Sequence, residues 1–96
     1  MSQWMKVLGA MVADPRPVSY TYQEAATILT HLGFEEKGKG GSHRRWRLEI
    51  PDPSSPGGKR AVIIGMPDAG SGKLHHVYIR AMVKTLQANE LLPNGL

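Results

Sequence analysis

The sequence contains no cysteine, which excludes a disulfide framework, a thiolate zinc site and a thiol nucleophile. It has no apolar run near the roughly 20 residues of a membrane-spanning helix. Its 96 residues are enough for one domain with one modest core and too few for a two-domain enzyme with a cofactor fold. Carboxylates are sparse: eight Asp and Glu stand against twelve Lys and Arg, a formal charge of +4. That balance points to an acidic partner such as nucleic acid, an acidic protein or a membrane surface.

What is present is concentrated between residues 37 and 47. Lys37, Lys39, Arg44, Arg45 and Arg47 cluster there without one carboxylate, around a turn of Gly40, Gly41, Ser42 and His43. Lys and Arg neutralise phosphates, the term that carries most non-specific nucleic-acid affinity. Glycine lets a backbone approach a ligand closely, and Ser42 offers a short donor to a phosphate oxygen. His43 is the side-chain type that titrates near neutral pH and so suits proton transfer. Trp46 is suited either to stacking on an unpaired base or to core packing. The plainer reading of the cluster is a solvated hairpin arm of a basic protein.

Periodicity organises the rest. Trp4, Val7, Leu8, Met11 and Val12 follow helical spacing, with Ser2 as candidate N-cap. Lys6 interrupts this stretch and no basic region precedes it, so residues 4–13 read as mature chain rather than signal peptide. Asp14, Pro15, Arg16 and Pro17 break the helix. A second helix begins at Thr21 and Glu24, which have capping-box spacing; Ala25, Ile28, Leu29 and Leu32 share one face, and Gly33 stands where a left-handed C-cap is expected. Residues 34–37 predict a short strand. Residues 42–50 predict another, with Trp46, Leu48 and Ile50 on one face and Arg45, Arg47 and Glu49 on the other. A Pro, Ser, Asp and Gly loop over 51–58 leads to a third, more continuously apolar strand over 60–64. A loop over 66–74 precedes a helix over 77–92 carrying Ile79, Met82, Val83 and Leu86 on one face.

The expected fold is α+β: a two-layer sandwich of a three-stranded antiparallel sheet and two helices, with an extra N-terminal helix. Residues 1–18 form that helix and its proline-containing connector, 19–92 the domain proper, and 93–96 a tail.

A helix closing on Leu32, Gly33 and Phe34, followed by Gly41, Ser42 and His43 opening a strand, resembles the HicA family of bacterial toxins from type II toxin-antitoxin pairs, over about residues 20–92. The resemblance implies a reduced double-stranded-RNA-binding-domain sandwich and a cytoplasmic endoribonuclease, an mRNA interferase that cleaves messenger RNA until a HicB-type antitoxin binds it. The histidine of the family's Gly-Ser-His turn is catalytic, and the matching position is His43. Many members also carry a Pro-His pair after the third strand; this chain has Met66, Pro67 and Asp68 there, so no second histidine is carried over.

The residues offer no metal-ligand constellation, and neither metal nor cofactor is expected. The simplest chemistry is attack of an RNA 2′-hydroxyl on its own phosphodiester. His43 serves as general base or acid. Lys37, Lys39, Arg44, Arg45 and Arg47 bind RNA and stabilise phosphoryl charge, and Gly41 and Ser42 supply turn donors. The partner in proton transfer stays open among Lys39, water, His75 and His76. The alternative is a non-catalytic RNA-binding module of the same fold.

Two other motifs lead elsewhere. Gly70, Ser71, Gly72 and Lys73 have the look of a phosphate loop, but Pro67 stands where its first glycine is required and Leu74 where Ser or Thr belongs. His75 and His76 are adjacent, so their side chains are expected to diverge at the start of the last helix, and His31 is expected on a helix surface.

Overall fold

The second helix is fixed at both ends by local chemistry. In the computed structural model, which describes residues 2–13, 20–37, 43–67 and 73–94, the Thr21 hydroxyl accepts from the Glu24 amide at 3.1 Å. The Glu24 carboxylate in turn accepts from the Thr21 amide at 2.9 Å, completing the expected capping box. The helix, α2 (Tyr22–His31), ends in a Schellman motif. Gly33 takes φ +99°, its amide donates to the Thr30 carbonyl, and the Phe34 amide donates to the Leu29 carbonyl. Phe34 and Leu29, joined by that bond, are both buried in the core.

The remaining elements are α1 (Gln3–Ala13), β1 (Tyr20–Thr21), β2 (Glu35–Lys37), β3 (His43–Pro51), β4 (Lys59–Pro67), β5 (Lys73–Leu74) and α3 (His76–Ala88). A short 3₁₀ turn, Pro56–Gly58, lies between β3 and β4. Strands β2, β3 and β4 form an antiparallel sheet in that order. The expected α+β class is therefore observed, with three helices among the described residues. The proline-rich breaker at 14–17 lies outside the described residues.

Register decides which side chains meet the helices. Trp46 faces Ile64, Leu48 faces Val62 and Arg44 faces Met66, so these share one face of the sheet. Trp46, Val62, Ile64 and Met66 are buried there with Leu8 and Met11 of α1, Ile28 and Leu29 of α2, and Ile79, Met82, Val83 and Leu86 of α3. The N-terminal helix thus supplies two fully buried side chains to the same core. The other face carries His43, Arg45, Arg47 and Glu49 opposite Pro67, Gly65, Ile63 and Ala61.

Three boundaries differ from expectation. The third strand is longer than 60–64 and alternates: Val62, Ile64 and Met66 are buried while Ile63 is 53% exposed. A run of apolar types concealed a period of two. Residues 73–74, expected within a loop, pair with Tyr20–Thr21 as a two-stranded sheet that ties the start of α2 to the approach to α3. The last helix stops at Ala88 rather than 92, because Glu90 adopts the left-handed region at φ +56° and the Leu91 amide folds back onto the Leu86 carbonyl at 2.9 Å. No glycine marks that stop.

Candidate nucleic-acid interface

Strand β3 divides the basic cluster between two environments. His43, Arg45 and Arg47 lie at alternate positions and face away from the helices. Lys37 pairs with Arg45 in register and so joins the same face. His43 and Arg45 are exposed. Arg44, grouped with them in the sequence reading, points to the helical side and is half-buried. Lys39, Gly41 and Ser42 lie outside the described residues.

The cluster lacks carboxylates in sequence but acquires them in space. Lys37 Nζ stands 3.1 Å from Glu35, Arg47 Nη1 3.0 Å from Glu49, and Arg44 Nη1 3.4 Å from Glu36. The Arg47 guanidinium holds the Glu49 carboxyl below its ordinary value, first by its hydrogen bond and then by its charge. Exposed pairs of this kind contribute little, so Lys37 and Arg47 can exchange a carboxylate for a phosphate at small cost. Arg45 makes no ion pair among the described residues. Among the described residues the outward face therefore combines one exposed imidazole, one unpaired guanidinium and two weakly paired cations.

On the opposite face a polar network was not foreseen. The Trp46 indole N–H donates to the Tyr22 hydroxyl at 3.2 Å, and that hydroxyl donates to the Glu36 carboxylate. Trp46 is 6% exposed, which assigns it to core packing rather than base stacking. The Tyr22 hydroxyl is pushed up to about 12, first by burial and then by its hydrogen bond to Glu36. The Trp46 donor and the Arg44 charge oppose that shift. Above the network a groove of about 510 Å³ runs between α2 and the β2–β3 end of the sheet. Thr27, Thr30 and His31 line its helical wall, and Glu36 and Arg44 its sheet wall.

The other histidines occupy helix ends. His75 is the N-cap of α3, its Nδ1 accepting from the Val77 amide at 3.2 Å. The expected divergence of His75 and His76 is not found: their rings stack with centroids 4.3 Å apart, because His75 stands before the helix with extended backbone and its ring is held by the Val77 amide. His31 is exposed, as expected, and stacks on Trp4 at 4.9 Å and 5°, linking α2 to α1. Lys73 belongs to β5 rather than to a helix N-terminus, so it lacks the position of a phosphate-loop lysine; Gly70, Ser71 and Gly72 lie outside the described residues. Among the described residues no cluster of His, Asp and Glu could hold a metal ion, and no helix is long and apolar enough to cross a membrane.

Compared with protein-family models, with curated proteins and with solved structures, the chain matches none.

Proposed function

We propose that this protein is a HicA-like endoribonuclease acting without a metal on messenger RNA, and the toxin half of a pair whose antitoxin is of HicB type. The observation that carries the reading is the outward sheet face, where exposed His43 stands in line with Arg45 and Arg47 at the end of β3. A general acid or base beside fixed cations is what transesterification of a phosphodiester requires. The order α2, β2, β3, β4, α3 supports a reduced double-stranded-RNA-binding sandwich, the fold the resemblance implies.

In this mechanism His43 takes the proton of the 2′-hydroxyl or gives one to the leaving 5′-oxygen. Arg45, with Arg47 and Lys37 released from their carboxylates, neutralises the phosphoryl oxygens. An acidic antitoxin would bind the same face and compete with RNA for it.

The test is incubation of the purified chain with single-stranded RNA in excess chelator. Cleavage is expected, and His43→Ala should abolish it while leaving the fold and RNA affinity in place. Unaltered cleavage by that variant would remove His43 from the chemistry. One observation favours a second reading, a non-catalytic RNA-binding module: His43 has no hydrogen-bond partner to orient its ring among the described residues. Binding without cleavage in the same assay selects that reading.

A further inference from the structure

We propose that the groove between α2 and the β2–β3 end of the sheet is a recognition pocket for an unpaired guanine of the RNA. The inference rests on the RNA-binding reading above and adds the base that is recognised.

The chemistry of the walls selects the ligand. The Thr30 hydroxyl donates to the Ala26 carbonyl at 2.8 Å and the Thr27 hydroxyl to the Gln23 carbonyl at 2.9 Å. Having spent their protons on the helix, both can act toward a ligand only as acceptors, and Thr27 already accepts from the Gln23 side-chain amide at 3.4 Å. Glu36 accepts from Tyr22 through Oε2 and from Arg44 through Oε1, and a carboxylate has further acceptor capacity on each oxygen. The Tyr22 phenol, with its pKa near 12, keeps its proton at neutral pH and fixes the carboxylate in place. Beside Glu36 stands the planar donor fork of Arg44.

A ligand for this wall must therefore offer two adjacent N–H donors to one carboxylate and a carbonyl oxygen to a neighbouring guanidinium. Among the RNA bases only guanine does so along its Watson–Crick edge, through N1–H, the N2 amino group and O6. Adenine and cytosine each place an unprotonated ring nitrogen beside their single amino group, and it would face the Glu36 carboxylate. Uracil has one N–H between two carbonyls. Unpaired bases splayed from a strand are the usual targets of sequence-specific RNA recognition. At about 510 Å³ the groove has room for a base together with part of its sugar.

Position connects the groove to the proposed chemistry. His43 and Arg44 are consecutive, and consecutive residues of a strand face opposite sides. A strand of RNA passing over the β2–β3 end would seat its guanine against Arg44 while a neighbouring phosphodiester lies on the His43 side.

The test is fluorescence anisotropy of the full chain with labelled short oligouridylates carrying one central guanosine, inosine or adenosine. Their 2′-hydroxyls are methylated so that binding is read without cleavage. Guanosine is expected to bind about tenfold or more tightly than adenosine, with inosine, which lacks the amino group, in between. Glu36→Gln should bring the three together, its circular dichroism confirming the fold. The base series on the unaltered chain needs no variant. Equal affinity for the three oligomers overturns the guanine pocket and leaves RNA binding standing. Failure to bind any of them overturns the RNA reading and this inference with it.

Discussion

Arg44 and Arg45 are consecutive in β3 and stand on opposite faces of the sheet, Arg44 beside the Tyr22–Glu36 pair and Arg45 in solvent. Their substitutions should therefore separate. Arg45→Ala removes a phosphate contact from an exposed position. Its stability should change by no more than about 0.5 kcal/mol. Its RNA affinity should fall, and the slope of log affinity against log salt should flatten by about 0.7, the value of one contact to a single strand. Arg44→Ala truncates a half-buried side chain and removes its hydrogen bond to Glu36. It should cost about 1 kcal/mol, which for a domain of this size lowers Tm by about 4–8 °C. Salt titrations and thermal scans of the two variants check this. Indistinguishable profiles would mean that the two faces are not functionally distinct.

The N-terminal helix is expected to be indispensable to the fold. Leu8 and Met11 are both 0% exposed and belong to the same buried cluster as the residues of α2, α3 and β4. Leu8→Ala removes buried methyl groups and leaves a cavity, at a cost of about 2–5 kcal/mol. Total stabilities of small domains are about 5–15 kcal/mol, so the urea midpoint should fall by a large fraction. A shift equivalent to less than about 0.5 kcal/mol would mean that α1 is an appendage rather than part of the core.

The contrast between what the residues foretold and what register created is physical. Thr21, Glu24 and Gly33 announced α2 because capping involves groups three or four residues apart, whose geometry the helix itself imposes. The side allegiance of Arg45, Arg47 and Glu49 was legible because a strand alternates. The network of Tyr22, Glu36, Arg44 and Trp46 was not. Its hydrogen bonds join residues 8, 14 and 24 apart, and they form only once β2 is in register with β3 and α2 lies across both. The same holds for the β1–β5 pairing, two residues long and too short to show any period. At Glu90 the chain enters a conformation that costs a non-glycine residue about 1–2 kcal/mol, and tertiary packing of Leu91 and Leu92 against the core offsets it without leaving a mark in local sequence. Of the proposed site, His43, Arg45, Arg47 and Lys37 share one face, Arg44 leaves it, and Lys39, Gly41 and Ser42 lie outside the described residues.

The Tyr22 network should leave a signature at alkaline pH. Burial, followed by the hydrogen bond to Glu36, raises the phenol from 10.0 to about 12. Between those values the unfolded chain has lost the Tyr22 proton and the folded chain retains it. The unfolded state then binds fewer protons, so stability declines as pH rises. The contribution is fully present below pH 10 and is lost as pH passes through about 12. Two units correspond to a loss of up to about 3 kcal/mol. Tyr22→Phe removes this titration. At neutral pH it should cost about 1–3 kcal/mol, because the buried Trp46 N–H is left without its acceptor. The rest of the chain is common to both proteins, so the informative quantity is the difference in unfolding free energy between wild type and variant. That difference should be constant up to about pH 10 and shrink steadily above it, as measured by urea unfolding at half-unit steps. A difference that stays flat to pH 12 would show that the Tyr22 hydroxyl is neither buried nor bound to Glu36 in solution.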